Sequence, residues 1–267
     1  MNILIPTDLT EESLNSLPRL FNFFKGDETN ITLFHAVEPR KSGATLVLNV
    51  DDIIYDEAKS ALDRFIQENQ EKLKTQNINI DVELAYGYFE LALNRALDRT
   101  KSDMVIMTSK SRHGIDKILE RKQTLKFIGE LKQPLLIVPY ELAYKEINTV
   151  AVGLDQKEPM NVDSVAKIEK IASNFGADIK LFHINDQSEK DLSYYDQKIH
   201  IGGEDQSIHL KEHQDVTIGI EDWMDENEAE VLSMITHNRN FFSKLLMRSV
   251  TRDVTKRNSN ILLIITQ

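Results

Sequence analysis

The sequence contains no cysteine, and this absence excludes disulfide frameworks, thiolate metal sites and thiol catalysis. It also fits a cytoplasmic protein. No apolar run approaches the roughly 20 residues that a membrane-spanning helix needs, so no membrane partner is expected. The segment Met1–Pro6 has no basic region followed by a long apolar stretch, and no signal peptide is expected.

The 32 basic residues are too few to balance the 43 acidic ones, and the formal net charge is −11. An acidic surface repels phosphate backbones, so nucleic acid is not an expected partner, and the excess acid favours solubility. The chain lacks the Gly-x-x-x-x-Gly-Lys-Ser/Thr loop, the Gly-x-Ser-x-Gly elbow and the His-Glu-x-x-His helix. With no visible nucleophile paired with a base, the composition favours a protein that is not an enzyme.

The first half of the chain alternates strand and helix patterns. A chain of 267 residues with 41% hydrophobic residues can bury one large core or two of ordinary size. Thr10 followed by two glutamates is typical of a helix start, and residues 39–50 have the composition of a loop. The patterns predict strands at 2–6, 31–37, 78–84, 103–108 and 134–139, and helices after Thr10 and at 51–76, 89–100 and 115–131. This order predicts an α/β fold with a doubly wound parallel sheet.

Four landmarks of the first half recur in the same order in the second half, which indicates an internal duplication. They pair Asn2–Asp8 with Asn148–Asp155, Ile31–Ala36 with Ile179–Ile184 (both containing Leu-Phe-His), residues 103–108 with 229–236, and residues 134–139 with 260–265. The predicted domains are therefore 1–142 and 146–267. Residues 185–205 lack a long amphipathic pattern, so the second helix is expected to be reduced in the second copy.

These motifs resemble the universal stress protein family. The resemblance is carried by Ile3–Thr10 (Ile-Leu-Ile-Pro-Thr-Asp-Leu-Thr), the Leu-Phe-His strand, the Met-Val-Ile-Met strand and the closing Leu-Leu-Ile-Val-Pro strand. Two successive copies of the pattern together cover nearly the whole chain, so the sequence resembles a tandem universal stress protein. The resemblance implies two doubly wound parallel five-stranded sheets of the Rossmann-like or flavodoxin-like type, related by a pseudo-two-fold axis. It also implies that the strands at 134–139 and 261–266 pair as an intramolecular pseudo-dimer.

In function, the resemblance implies a cytoplasmic stress-response sensor or adaptor with a protein partner, and further homodimerisation is compatible with it. Nucleotide-binding members of the family hold ATP at the carboxyl ends of the strands, where an acid after the first strand recognises adenine or ribose and a Gly-x-x-Gly turn wraps the phosphates. The implied adenine-nucleotide site residues are Thr7, Asp8, Val37, Met107, Ser109, Arg112 and Gly114 in the first repeat, and Asp155, Ile184, Thr236, His237, Asn238, Arg239, Arg248, Ser249, Val250 and Thr251 in the second.

The chain departs from the family in its phosphate turns. The turn glycines are replaced by Thr108 and Ser111 in the first repeat and by Ile235 and Asn238 in the second. A β-branched residue such as Ile235 resists the positive φ that glycine allows, whereas Asn tolerates it. Our hypothesis from the sequence is that the second repeat, around Asp155 and Arg239, holds the better remnant of a nucleotide site.

Two alternatives stay open from the sequence. One is a ligand-free interaction protein whose pockets are filled by side chains such as Ile235 and Arg121, and the other is a slow ATPase or nucleotide hydrolase. Asp8 and Asp155 either cap the following helices or recognise a ligand. His35 and His183 are expected to be satisfied by backbone groups rather than to do acid–base work. The spacing of His200, His209 and His213 matches no zinc motif, and no metal is expected.

Overall fold

The computed structural model describes residues 1–24, 28–38, 47–109, 131–139, 146–155, 159–187, 189–236 and 261–266. The chain divides into two compact units, Met1–Thr108 and Ser109–Gln267. Both units are α/β, with parallel strands separated by helices, as the sequence predicts. No helix in the described ranges is long and apolar enough to cross a membrane.

The first unit is a parallel sheet in the order β3-β2-β1-β4. Its strands are β1 (Asn2–Pro6), β2 (Thr29–Val37), β3 (Ile78–Tyr86) and β4 (Met104–Ser109), and its helices are α1 (Glu11–Leu20), α2 (Val47–Thr75) and α3 (Phe89–Thr100). The centre of β1 is fully buried, as expected for a strand covered on both faces. On α2, the predicted apolar side supplies Ala58, Leu62 and Phe65 to the core.

The start of α2 differs from the sequence prediction. Residues 47–50 were assigned to a loop spanning 39–50, but they form the first turn of α2. The loop prediction is wrong for these four residues because Pro39 and Gly43 disfavour a helix only in the first part of the stretch, whereas Val47, Leu48 and Val50 are compatible with a helical turn that continues into the amphipathic pattern. Residues 39–46 and the predicted helix at 115–131, apart from Leu131, lie outside the described residues.

The second unit contains the strand order β5-β11-β10-β6-β7-β9-β8. Its strands are β5 (Leu135–Pro139), β6 (Thr149–Gly153), β7 (Asp178–Asn185), β8 (Lys198–Ile201), β9 (Glu204–Glu212), β10 (Val231–Thr236) and β11 (Ile261–Thr266), and its described helices are α4 (Val162–Phe175) and α5 (Val216–Glu226). Strands β7 and β10 pair in parallel with β6, and β9 and β11 pair in parallel with β7 and β10 in turn.

The two final strands pair with each other inside this unit. Strand β11 runs antiparallel to β5, with Leu263 opposite Leu136. Consequently β5, which closes the first set of five strands along the sequence, is grouped with the second compact unit. The domain boundaries at 142 and 146 and the pseudo-two-fold axis stay predictions.

In the second repeat, a β-hairpin occupies the position that α2 has in the first repeat. After β7, the described chain forms a 3-10 turn at Ser193–Asp196, then β8 and β9 in antiparallel pairing. Gly202 and Gly203 connect these strands with φ values of +69° and +82°, the conformation of a type I′ turn, which glycine adopts without strain. Strand β9 then pairs in parallel with β7, as β3 pairs with β2.

Matching backbone contacts support the duplication. Thr7 N donates to Phe34 O and Leu154 N donates to Phe182 O, each at 2.9 Å. Farther from these ends, Asn30 N donates to Met1 O and Asp178 N donates to Asn148 O, again at 2.9 Å. The first two strands of both repeats therefore pair in the same register.

Candidate functional site

Each repeat has a topological switch point beside its first strand. Strand β1 lies between β2 and β4, and β6 lies between β7 and β10. The chain leaves the central strand toward one side of the sheet and returns on the other, so the connecting segments part at the carboxyl ends and leave a crevice there. The residues that follow β1 and β6 therefore form the candidate sites.

In the first repeat, a compact turn links β1 to α1. The Asp8 carboxylate is exposed, and its Oδ1 accepts hydrogen bonds from Thr10 N at 3.0 Å and Thr10 Oγ1 at 2.7 Å. Thr10 is the N-cap of α1 and accepts a hydrogen bond from Ser13 N, as predicted. Asp8 thus orients the cap rather than serving as the cap. Leu9 has a φ of +60°, and its N–H donates to Thr7 Oγ1 at 3.1 Å.

Apolar predicted residues line the ends of the neighbouring strands. Val37 is buried at the end of β2, and Met107 is buried near the end of β4. Because β1 and β4 pair in parallel with Ile3 opposite Met104, the carboxyl ends of both strands lie at the same edge of the sheet. The structure thus places Thr7, Asp8, Val37 and Met107 at the carboxyl end of one sheet.

His35 and His183 hold equivalent positions. His35 Nδ1 lies 2.8 Å from Thr7 O, and His183 Nδ1 lies 2.7 Å from Leu154 O. The prediction that backbone groups satisfy both histidines is confirmed for Nδ1. These contacts tie the residue after β1 or β6 to the next strand and fix the floor of each crevice.

In the second repeat, Asp155 is exposed directly after Leu154, and Ile184 is buried in β7. The helix that follows begins at Val162 and is capped by Asn161, whose side chain accepts a hydrogen bond from Ser164 N at 2.8 Å. The hypothesis that Asp155 caps this helix is therefore wrong, because the chain runs six residues farther before the cap. Ile235 is buried near the end of β10.

Side chains of the following segment cover this second crevice. Tyr195 is buried and stacks on His183 with 4.0 Å between ring centroids and an interplanar angle of 15°. Its hydroxyl donates to Glu189 Oε2 at 3.2 Å. Burial, followed by the nearby Asp155 carboxylate, raises the pKa of Tyr194. The second repeat thus brings two tyrosines of its own chain to the end of the sheet where the sequence predicted a nucleotide.

The remaining predicted site residues lie at the last positions of two strands or outside the described residues. Ser109 and Thr236 are the last residues of β4 and β10. The residues outside the described ranges are Arg112 and Gly114 in the first repeat, and His237, Asn238, Arg239, Arg248, Ser249, Val250 and Thr251 in the second. Arg121, the side chain expected to fill the first pocket in the ligand-free alternative, also lies outside them.

The three histidines of the second repeat have separate surroundings. His200 Nδ1 lies 2.9 Å from Asp205 Oδ1 on the exposed hairpin, and the His209 ring meets Trp223 edge-on. His213 Nδ1 lies 2.6 Å from Asp215 O. In the described part of the chain, no group of three or more histidines or carboxylates is arranged to hold a metal ion.

Sequence reasoning missed the side chains that cover the second crevice. The sequence patterns assign no element to residues 185–205, which contain Glu189, Tyr194 and Tyr195, and they predict no role for these three side chains. The available signal was Gly202-Gly203, since a glycine pair between two short segments is typical of a hairpin turn. Recognising that hairpin would have placed the preceding tyrosines between β7 and the sheet edge.

The fold and the two switch points define an α/β protein of the Rossmann-like type with two repeats. A family model described as the universal stress protein family matches residues 1–139, which is half of the chain. The chain belongs to the universal stress protein family, and its second half repeats the same parallel strand order with the β8–β9 hairpin in place of α2. No curated protein matched the chain.

Solved structures support the same fold over both repeats. A universal stress protein from Archaeoglobus fulgidus DSM 4304 is 19% identical, covers 100% of this chain and 96% of its own, and has a TM-score of 0.69. A protein of unknown function from Pseudomonas aeruginosa PAO1 is 12% identical, with 99% and 92% covered and a TM-score of 0.57. At these identities the likeness concerns the fold alone.

Proposed function

We propose that this protein is a stress-response sensor or adaptor that binds an adenine nucleotide in its first repeat and alters its contact with a protein partner in response. The observation that carries the proposal is the exposed Asp8 carboxylate at the switch point beside β1. Among the described residues, Asp8 Oδ1 accepts the hydrogen bonds from Thr10, which leaves Oδ2 to accept from a ribose hydroxyl or an exocyclic amine.

The comparison between repeats favours the first one, contrary to our hypothesis from the sequence. In the second crevice, the Tyr195 ring already stacks on His183 and Tyr194 lies near Asp155. A nucleotide base would have to displace these rings. Val37 and Met107 are apolar neighbours of the first crevice and suit the flat face of a base.

Calorimetric titration with ATP, ADP and AMP tests this proposal, with Asp8→Ala and Asp155→Ala as a matched pair. Losing one hydrogen bond to a charged group should weaken binding about tenfold or more in Asp8→Ala. Asp155→Ala should leave the affinity unchanged. Thr10→Ala is the control for the turn, because it loosens the α1 cap without removing the carboxylate.

Three results would count against this assignment: no binding by the parent protein, equal losses in Asp8→Ala and Thr10→Ala, or a loss confined to Asp155→Ala. The first would favour the second candidate, a ligand-free interaction protein. The buried Tyr195 and the partly buried Glu189 in the second crevice favour that candidate, because they fill the place of a ligand with protein side chains. A slow hydrolase would instead be revealed by phosphate release above a protein-free control.

A further inference from the structure

A buried polar cluster lies at the carboxyl end of β7. The side chains of His183 and Glu189 are only 9% and 11% exposed, and His183 Nε2 lies 3.2 Å from Glu189 Oε2. Tyr195 covers the histidine ring and directs its hydroxyl to the same glutamate oxygen. We call residues 189–196, which supply the glutamate and the tyrosine, the latch segment.

The hydrogen bonds determine where the protons of this cluster lie. Leu154 O can only accept, so His183 Nδ1 must carry the hydrogen in their 2.7 Å contact. A neutral imidazole has one N–H, and Nε2 of a neutral His183 would therefore present a lone pair to Glu189 Oε2. The hydroxyl of Tyr195 gives its single hydrogen to the glutamate. Nε2 has no hydrogen bond of good geometry among the described residues, and its contact with Glu189 is that of an ion pair.

Burial makes the missing proton energetically important. Two acceptors that face each other away from water lose hydration without gaining a hydrogen bond. A second proton on His183 turns the contact into an imidazolium–carboxylate pair. When the segment moves away, water can hydrate a neutral histidine and an ionised glutamate separately. A closed arrangement held by this ion pair would contain one proton more than the open one.

Neighbouring charges support the same direction. Asp155 places a second negative charge at this end of the strands, near Tyr194. On β9, His183 lies opposite Leu210, and the flanking His209 and Lys211 alternate to the other face of the sheet. Lys211 is paired there with Glu226 at 2.7 Å. Within the latch segment, Asp191 accepts hydrogen bonds from Ser193 instead of facing the ring.

We propose that the latch segment is a proton-dependent cover of the second crevice, closed while His183 and Glu189 share the added proton and released when that proton is lost. Since the closed form binds more protons, closure is favoured at low pH and weakens as pH rises. The proposal does not depend on nucleotide binding. His35 offers the contrast, because it is only half-buried and forms no ion pair within the described part of the first repeat.

Hydrogen exchange of the full chain measures this opening directly. Latch-segment amides are compared at about pH 5 and about pH 8, on either side of the ordinary histidine range, after correction for the intrinsic pH dependence of exchange. The opening constant should rise by up to about tenfold per pH unit while one proton is released. Amides in β6 and α4 should keep their protection. At the lower pH, nitrogen-15 NMR should show hydrogens on both His183 ring nitrogens.

Glu189→Gln keeps the shape of the side chain but replaces the carboxylate with an uncharged amide. Its amide can donate to a neutral His183 Nε2, so the segment should stay closed at both pH values. His35→Gln, which removes the matching histidine from the first repeat, should leave the latch exchange unchanged. The proposal is overturned if the parent protein shows equal latch protection at both pH values, or if Glu189→Gln keeps the parent's pH dependence.

Discussion

Glu230 stabilises the start of β6, and its replacement gives the sharpest test of the repeat architecture. The residue is 8% exposed, and its Oε2 accepts hydrogen bonds from Asn148 N at 2.9 Å and Thr149 N at 3.0 Å. The first repeat has a shorter form of the same contact, since Asp103 Oδ2 accepts from Asn2 N at 2.9 Å. Asp103 directly precedes β4 and Glu230 directly precedes β10, and each acid hydrogen-bonds to the start of the central strand beside it, β1 or β6.

The expected cost follows from these bonds. Hydrogen bonds to a charged group contribute about 1.5–3 kcal/mol, but Asn148 is exposed and its N–H can return to water. Glu230→Ala should therefore lower the free energy of unfolding by about 2–4 kcal/mol. In Glu230→Gln one amide oxygen can accept both bonds without the charge, so the loss should be about half as large.

Urea denaturation followed by tryptophan fluorescence measures this loss. Trp223 is the single tryptophan, lies buried in the same unit and stacks on Phe182 at 4.3 Å. Asp222→Ala removes an exposed acid from the same helix as the tryptophan and should change stability by less than about 0.5 kcal/mol. A loss below about 1 kcal/mol for Glu230→Ala, or equal losses for Ala and Gln, would refute the hydrogen-bond account.

Two further predictions concern the second crevice. In Gly219→Ala, the new Cβ would lie 2.6 Å from Ile184 Cγ2 and 2.8 Å from His213 Cβ. The overpacking should cost about 1–3 kcal/mol, which exceeds the gain in helix propensity of up to about 1 kcal/mol. The variant should therefore unfold at a lower urea concentration, and a higher urea midpoint would contradict the packing. Because burial and Asp155 raise the pKa of Tyr194, its stabilising contribution should be complete below the ordinary tyrosine value of about 10 and lost as pH rises beyond it. In an ultraviolet titration, Asp155→Asn should lower this pKa, and an unchanged curve would remove Asp155 as a cause.

Much of the fold could be predicted because its signals are local. The helix at 89–100 has the predicted bounds, and the strands around the repeated Leu-Phe-His agree within two residues. Apolar periodicity and turn residues determine such elements over short distances. The hairpin β8–β9 was missed because β8 has only four residues and both strands are mostly exposed, so their side chains give a weak apolar pattern.

The candidate site was only partly predictable for a different reason. Asp8 and Asp155 could be placed at strand ends, and the backbone partners of the two histidines could be anticipated, because both follow from strand order. Contact between Tyr195 and His183 depends on the path of the chain after β7, twelve positions along the sequence. No periodicity encodes that path, and the same sequence features are compatible with an exposed tyrosine.

The two ends of each sheet therefore have different roles in this chain. At the amino ends, acids accept backbone hydrogen bonds in both repeats, through Asp103 and Glu230, and a change there alters strand pairing directly. At the carboxyl ends, the shared contact is the histidine to the residue after the first strand, and what lies above it is supplied by connecting segments. Because those segments are outside the parallel strand pairing, the second repeat can cover its crevice with Tyr195 without changing register. Duplication thus lets the connecting segments of the two repeats diverge independently, within one fold.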